Sequence, residues 1–533
     1  MFSLLSFVLV PLAAGVLMYL MPVRVSKAAA IIVQMALCAS AVNLFLDVRS
    51  QIVVSEVIGG WPAPVGLVLR VDLLSAVMVA LTVFLFLLFL IHSMSQSYVK
   101  NLFLTMFLIL ESLLLGIFLS TDLFNVYVLI EVSTITITLL ILFKKEKRAI
   151  YDGLVYMMLN IISMTFFLLG LGMLYRITGI LDFMTLQERI PQVADKTALI
   201  LPCSFLVTAA CLKGAVFPLF SWLPKAHGTP GAPSTVSAVL SALYVKSGIY
   251  LLIRLQGLFR EAFDLNSFIL ILGFVTAFAG IVLAMSQKDI KRILAYSTVS
   301  QIGLIMVGIG QGTEYAYYGA LYHIVSHALF KAALFLIAGM IIDEYHTRNL
   351  YKIRGVFKRM PIVATAAVAA MLGVTGAPLF NGSVSKYMIK TDLGDGIYSY
   401  GLILINLGTI LYFLRFASMF NGKSDKPLAH LPLNRKVVIS ILGFLCLAGG
   451  LAGSAIVTAV FPVTVTFSIG SYFEMLIVYV LTLAGGFVLY KIAGRRGSEW
   501  AKKFIFEPGF NQMVLAIVFF FAVNVFYLNW SIR

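Results

Sequence analysis

Charged residues are scarce in this sequence. Only 12% of its 533 residues are Asp, Glu, Lys or Arg, whereas 61% are hydrophobic. Soluble domains carry about 25% charged residues, so the composition excludes an ordinary soluble globular protein. Apolar runs of about 20 residues, the length of a membrane-spanning helix, recur along the chain instead. The composition therefore predicts a polytopic membrane protein.

Cysteines and cofactor-binding motifs are equally sparse. No GxGxxG motif opens a helix after a strand, and no Walker loop occurs. We therefore expect no cofactor, no metal, and no catalysis by the chain on its own; a place as a subunit of an ion-translocating oxidoreductase stays open. The four cysteines form no CxxC pair and match no metal or cluster spacing; they are Cys38, Cys203, Cys211 and Cys446.

Sixteen apolar segments are long enough to cross a membrane. Segments of this length favour helices over barrel strands, so we predict an all-α polytopic fold with about 14–16 transmembrane helices. The first segment lacks a basic flank and a cleavage site, and we expect it to be retained as a helix. The segments are 2–21, 28–47, 72–94, 101–120, 123–143, 149–175, 198–222, 234–256, 267–286, 291–310, 315–342, 361–390, 397–419, 436–460, 472–491 and 512–530.

The distribution of basic residues indicates how the chain is oriented in the membrane. If the run KKEKR at 144–148 is cytoplasmic, most of the 39 Lys and Arg fall on that side of the sixteen spans, as the positive-inside rule requires. The net charge of +16 is then topological, and we expect no nucleic-acid partner. The chain is predicted to lie among lipids in the plasma (inner) membrane of a prokaryote, as a multi-pass protein with its N-terminus outside.

Three connections are longer than the rest. Residues 48–71 alternate β-branched side chains around GGWPAP, which predicts an external hairpin. Residues 178–197 resemble an external amphipathic stretch. Residues 492–511 are basic and aromatic, and predict a short cytoplasmic interfacial helix.

Apart from those at the ends of spans, five basic residues fall inside predicted spans. Charges there are costly and usually functional. Desolvation favours the neutral form of a lysine, and a nearby carboxylate favours its charged form. A buried lysine whose carboxylate partner comes and goes is therefore a switchable proton carrier. The five residues are Lys213, Lys246, Lys331, Lys386 and Arg415.

Two of these lysines lie in interrupted spans. Pro218 interrupts the span 198–222, and the following WLPKAHGTPGAP at 222–233 is predicted to be a cytoplasmic turn. Gly376 and Pro378 interrupt the span 361–390, together with Asn381-Gly382. The two spans run in opposite directions, and broken helices at matching places of two inverted halves mark the working site of a transporter.

Other ionisable groups occupy the spans as well. Glu131 lies near the middle of the fifth span, where an isolated carboxylate should be neutral or paired. Asp122, at the start of the same span, is expected to cap the helix. His323, His327 and Lys331 are spaced i, i+4, i+8, which places them along one helical face. The histidine pair lacks the Glu and third ligand of a zinc site, so we interpret this stripe as a titratable wire.

The motifs that carry these residues resemble a known family. DLFNVYVLIE at 122–131, KGAVFPLFSWLPKAHGTPGAPSTVSAVLSALYVKSGIYLL at 213–252, QKDIKRILAYSTVSQIGLI at 287–305 and HIVSHALFKAALFL at 323–336 are similar to the antiporter-like subunits of respiratory complex I. The large subunits of Mrp-type cation/proton antiporters (D- and A-type) and of membrane-bound hydrogenases belong to the same family.

The resemblance implies a site and a domain organisation. It implies proton transfer by Glu131 with its partner Lys213, by Lys246, by the central relay, and by Lys386 as terminal lysine; Asp72 would be structural. It also implies N-terminal helices 1–3 with the hairpin (1–100), two inverted five-helix repeats that each hold a half-channel (101–256 and 267–419), and C-terminal helices with the interfacial segment (436–533).

Three hypotheses remain open. The first is a proton-translocating subunit of a multi-subunit membrane complex, with other membrane subunits as partners, H⁺ as the transported ion and Na⁺ left open. The second is a stand-alone secondary transporter of a small anionic solute, because broken-helix N-termini suit anions. The third, a structural membrane anchor with degenerate charges, is disfavoured by the intact set of seven ionisable residues.

Overall fold

The fold was obtained as a computed structural model that describes residues 3–50, 54–394, 396–422, 427–466, 469–502 and 508–532. Fourteen helices in these ranges are long and apolar enough to cross a membrane, and two more, Leu4–Leu20 and Pro361–Thr375, are apolar but shorter. These sixteen helices coincide with the sixteen predicted spans. The prediction of an all-α polytopic membrane protein is therefore confirmed.

A hairpin links the second and third spans, as predicted. Strands β1 (Val54–Val57) and β2 (Val68–Val71) pair antiparallel with Val54 opposite Val71, and Leu69 also bridges to Ser120. We call this end of the bundle the hairpin side, and the end that carries residues 144–148 and 348–359 the basic side. The first six helices are α1 (Leu4–Tyr19), α2 (Val23–Arg49), α3 (Leu73–Ser93), α4 (Asn101–Leu119), α5 (Leu123–Ile141) and α6 (Lys147–Thr178).

Aspartates begin many of the helices, because their side chains accept hydrogen bonds from otherwise unpaired N–H groups of the first turn. Asp122 accepts from the N–H of Asn125 at 2.6 Å, which confirms it as the cap of α5. The next helices are α7 (Phe183–Arg189), α8 (Ile200–Lys213), α9 (Trp222–Gly228), α10 (Ser234–Val239), α11 (Val245–Phe259), α12 (Leu265–Ser286), α13 (Ile290–Gly310) and α14 (Glu314–Tyr345); a π-helical turn, Leu240–Tyr244, joins α10 to α11.

The last third of the chain differs from expectation at residues 492–511. A separate interfacial helix was expected there, but the preceding helix continues to Lys502, the next begins at Phe510, and residues 503–507 lie outside the described part. These helices are α15 (Val356–Arg359), α16 (Pro361–Thr375), α17 (Asn381–Thr391), α18 (Ile397–Ala417), α19 (Leu433–Leu451), α20 (Gly453–Val460), α21 (Ile469–Lys502) and α22 (Phe510–Ser531).

The helices that carry the ionisable residues form the centre of the bundle. Helices α10–α11, α13 and α14 are almost completely covered by protein, and α14 packs against α10, α13, α16, α17 and α19. The two C-terminal spans lie at the periphery: α21 packs against α12 and α18, and α22 against α6 and α8. Helix α22 thus lies against α8, which ends at the first break, and Tyr479 of α21 contacts Thr375 at the end of α16.

The structure corrects where the two helix breaks lie. Helix α8 ends at Lys213 itself, five positions before Pro218, and residues 222–228 form α9 rather than a turn. In the second break, Gly376 and Pro378 lie between α16 and α17 as predicted, but Asn381 and the glycine after it already begin α17. From local propensity we expected each break at its proline or glycine. Tertiary contacts around the breaks decide instead where the regular backbone hydrogen bonds of the helices end.

Candidate functional site

Lys213 is the last residue of α8 and is completely enclosed by protein. Its Nζ donates to Thr134 Oγ1 on α5 at 2.6 Å and lies 3.5 Å from the Tyr244 hydroxyl of the π-helical turn. The ammonium also lies 5.6 Å from the centre of the Tyr244 ring. A lysine predicted to be buried beside α5 is therefore found there, held by hydroxyl groups.

Glu131 lies one helical turn before Thr134 on α5 and is partly exposed. Lys213 is near enough to attract the Glu131 carboxylate electrostatically, but in the described structure its Nζ bonds to Thr134 rather than closing an ion pair. The predicted partners Glu131 and Lys213 are thus neighbours without a direct ion pair in the described structure. Thr134 and Tyr244 form a second binding position for the Lys213 ammonium, beside the one at Glu131. We call these two positions the stations of Lys213; sequence reasoning missed the second.

The first break is built by backbone contacts around Lys213. Ala215 adopts a φ of 53°, and the Trp222 indole N–H donates to the Leu212 carbonyl at 2.7 Å, which occupies an acceptor that the end of α8 leaves open. A Cβ on Gly248 of α11 would lie 2.2 Å from the backbone nitrogen of Gly214. Only glycine permits α11 to approach the break this closely.

Lys246 uses the π-helical turn. Its Nζ donates to the carbonyls of Ser241 and Ala242, at 3.2 and 2.5 Å, within its own helix. A π-turn disturbs the regular i to i−4 hydrogen bonds and is frequent at functional sites, and here its carbonyls receive a buried ammonium. Nothing in the hydropathy pattern signals this turn.

His323, His327 and Lys331 of the predicted stripe are all buried on α14, and each has different surroundings. His323 contacts Gln301 Oε1 on α13 at 3.1 Å and Ser385 Oγ on α17 at 2.8 Å. His327 has no hydrogen-bond partner in the described structure, and its ring centre is 6.4 Å from that of His323. Lys331 donates to the Leu294 carbonyl at 3.0 Å and to the Ser297 hydroxyl.

Lys386 lies six positions into α17, beyond the second break. Its Nζ donates to the carbonyl of Val374, in the last turn of α16, at 2.7 Å and to Asn406 Oδ1 on α18 at 2.8 Å. The last carbonyls of a helix are unpaired and carry the negative end of its dipole, so they attract an ammonium. The break thus creates the acceptor that Lys386 uses.

These groups form a connected series across the bundle. Tyr244, beside Lys213, precedes Lys246 by two positions, and Lys246 is near enough to His327 and Lys331 for their charges to interact. His323 contacts Ser385, the residue before Lys386. All seven sequence-predicted ionisable residues therefore belong to one series that leads from the first break to the second.

Arg415, the fifth basic residue inside a span, does not join the series. Its guanidinium donates to the carbonyls of Met285 and Gln287 at the end of α12, where it caps the helix. Sequence reasoning also missed Glu111 of α4, which is fully buried away from the series and accepts a hydrogen bond from Gln34 of α2. Its position inside an apolar span was the same signal that identified Glu131.

Asp72 belongs to a separate polar group on the hairpin side. It caps α3 and pairs with both terminal nitrogens of Arg254, at 2.5 and 2.8 Å. Arg254 also donates to Ser75 and Tyr250. Burial raises the pKa of Asp72, but the hydrogen bonds and charge of Arg254 outweigh it and hold that pKa below its usual value. The group ties α3 to α11, as expected of a structural residue.

Comparisons with known proteins place the chain in a family. Residues 120–411 match the family described as "NADH:quinone oxidoreductase/Mrp antiporter, TM". The chain is 35% identical to the N subunit of NADH-quinone oxidoreductase from Desulforudis audaxviator over 373 residues, covering 67% of this chain and 73% of that protein. It is 33% identical to the D subunit of the Na(+)/H(+) antiporter from Alkalihalophilus pseudofirmus over 357 residues, covering 66% and 71%.

Solved structures share the fold at lower identity. A chain of the Mrp complex from Dietzia sp. superposes with a TM-score of 0.78 at 22% identity, covering 90% of this chain and 98% of that one. A chain of an archaeal membrane-bound sulfane sulfur reductase gives 0.80 at 22% identity, covering 90% and 99%. A chain of respiratory complex I from Thermus thermophilus gives 0.76 at 21% identity, covering 89% and 99%.

Proposed function

The chain belongs to the NADH:quinone oxidoreductase/Mrp antiporter family of antiporter-like membrane subunits, and from this premise we propose that it moves protons along the buried series from Glu131 to Lys386. The observation that carries the proposal is the continuity of that series between the two helix breaks. Isolated charges in a membrane are costly, and seven ionisable groups in one line across five spans suit transfer of a proton from group to group.

We propose that Lys213 starts the transfer by changing partners. A carboxylate stabilises an ammonium that lies beside it. Movement of Lys213 away from Glu131 to Thr134 and Tyr244 would remove that stabilisation and ease transfer of its proton. The distance between the stations is about one turn of α5, so a side-chain movement suffices. The released proton then passes to Lys246 and to the stripe on α14.

The two halves around this series are proposed to be half-channels. Residues 101–256 contain the first break and residues 267–419 the second, and the breaks belong to helices of opposite direction. Backbone groups that the breaks leave without helical hydrogen bonds must face protein or water rather than lipid. With the basic side in the cytoplasm, the N-terminus would lie outside, and one half-channel would open to each side.

We propose that the chain works inside a larger assembly in a prokaryotic plasma membrane. The solved chains of the same fold are parts of the Mrp complex, the sulfane sulfur reductase and complex I. Two of the relatives are, by name, D subunits of Na(+)/H(+) antiporters, so Na⁺ is a second ion to test.

Replacement of Lys213 by alanine tests the function. In vesicles that contain the assembled complex, we expect the Lys213→Ala and Glu131→Ala variants to lose proton transport, measured with a pH-sensitive dye, while their subunit composition stays unchanged. Radioactive sodium flux, recorded in the same vesicles, tests Na⁺. Normal proton transport by the assembled Lys213→Ala variant would refute the proposed mechanism.

Transport of an anionic solute by the chain alone is the competing function. The cavity beside Lys386 has a volume of about 110 Å³, which is enough for several water molecules. Copurification separates the two functions: stable partner subunits support the proton-translocating assembly, whereas solute uptake by a self-sufficient monomer would contradict it.

A further inference from the structure

The cavity beside Lys386 has a wall that comes from outside both repeats. It is lined by residues of α13, α17, α18 and α21 and by Gly376 of the second break. Its volume of about 110 Å³ gives water access to the Lys386 ammonium. Its polar lining includes Ser383, Lys386, Lys390, Asn406, Glu474 and Thr482.

Helix α21 is held against the second break by two polar contacts. The Tyr479 hydroxyl is 3.1 Å from Thr375 Oγ1, at the last residue of α16. Closer to the hairpin side, Glu474 Oε1 lies 3.2 Å from Lys390 Nζ on α17. Irregular backbone is tolerated in a membrane only where protein or water covers it; α21 supplies that cover on this flank.

Glu474 is the acidic side chain in the described lining of this cavity. Lys386 and Lys390 are four positions apart on α17, so they share a helical face. Glu474 is held by the outer of these two lysines and is well exposed, at 65% of its side-chain surface. The described acidic residues of 267–419 lie instead at helix ends; they are Asp289, Glu314, Asp343, Glu344 and Asp392.

We propose that Glu474 is the proton acceptor for Lys386 at the hairpin-side mouth of this cavity. Through water in the cavity, an N–H bond of the Lys386 ammonium breaks and an O–H bond forms on the Glu474 carboxylate, which leaves a neutral amine and a neutral acid. Glu474 then releases the proton to solvent, and the ammonium of Lys390 stabilises the carboxylate that remains. Helix α21 would thus complete the second half-channel.

This inference rests on the proposed proton function, and its first test compares two glutamates. We expect Glu474→Gln to slow proton transport by about tenfold or more, equivalent to about 1.4 kcal/mol, because an amide cannot accept the proton. Glu314→Gln, on the same side and also exposed, is the matched control and should transport at the wild-type rate. Because Glu474 is exposed, both variants should assemble normally, which size-exclusion chromatography of the complex checks.

A second test measures the cavity without any transport. In a variant whose four native cysteines are replaced by alanine, Thr482→Cys places a thiol in the cavity wall. We expect a small cationic, membrane-impermeant thiol reagent added from the hairpin side to modify it, and to react more slowly after Glu474→Gln. A thiol at Ser204, fully buried in α8, should stay unmodified.

The outcomes separate the two proposals. If Lys213→Ala abolishes transport but Glu474→Gln transports like the wild type, the role of Glu474 is refuted and the proton function stands. If the thiol at position 482 cannot be modified from the hairpin side, the water-filled exit is refuted. If Lys213→Ala transports normally, the proton function itself fails, whatever the thiol shows.

Discussion

The hydroxyl of Thr134 provides a sharp test of how Lys213 works. Its Oγ1 accepts a hydrogen bond from Lys213 Nζ at 2.6 Å and donates to the Ile130 carbonyl of its own helix. Thr134→Val keeps the shape of the side chain but removes the acceptor. The charge of Lys213, the first break and Glu131 all remain. The variant therefore perturbs the position of the lysine at Thr134 and leaves the one at Glu131 unchanged.

The expected magnitude follows from that contact. Lys213 reaches Thr134 while it is still protonated. A hydrogen bond to a charged group contributes about 1.5–3 kcal/mol, which corresponds to a factor of about 10 to 150 in the equilibrium between the two positions of the protonated Lys213. The Tyr244 hydroxyl, at 3.5 Å, is too distant to replace it fully. We therefore expect Lys213 to remain beside Glu131 and proton transport to slow by at least about tenfold.

The control lies one turn along the same helix. Thr138 is buried like Thr134, but within the described residues its hydroxyl donates only to the Thr134 carbonyl of α5 itself. Thr138→Val should therefore transport at nearly the wild-type rate in the same dye assay on vesicles. Equal rates for the two valine variants, with equal amounts of assembled complex, would refute the two-station mechanism.

Three further predictions concern packing and residues outside the series. Gly248→Val should lower the thermal stability in detergent by about 1–3 kcal/mol through overpacking against the first break, whereas Gly172→Ala, which has open space around it, should not. Arg254→Lys should also lower the melting temperature, because one ammonium cannot reproduce the forked contacts of the guanidinium; Arg260→Lys, in an exposed pair, should leave it unchanged. Glu111→Gln should keep proton transport within about twofold of wild type, because this carboxyl lies outside the series. A loss as large as that of the Glu131 variant would contradict this assignment of Glu111.

The spans and the buried charges could be predicted because each is a local property. A helix in lipid must be apolar over its whole length, so hydropathy located all sixteen. A lysine or histidine within such a run is conspicuous by itself, and the i, i+4, i+8 spacing fixed the common face of His323, His327 and Lys331 before any packing was known. Side-chain direction along one helix depends only on helical geometry.

The ends of the broken helices could not be predicted in the same way. Pro218 suggested a break at its own position, yet α8 stops at Lys213. The close approach of Gly248 and the bond from the Trp222 indole to the end of α8 decide that position, and both come from residues distant along the chain. The π-helical turn before Lys246 also could not be predicted from the hydropathy pattern.

What the sequence determined by itself is therefore the number and type of the helices and which ionisable residues fall inside them. The tertiary structure decided the partners: Thr134 for Lys213, Ser385 and Gln301 for His323, and the Val374 carbonyl for Lys386. The reason is physical. A charge in an apolar run is costly wherever the helix is placed, but the group that compensates it comes from another helix, and only packing brings the two together.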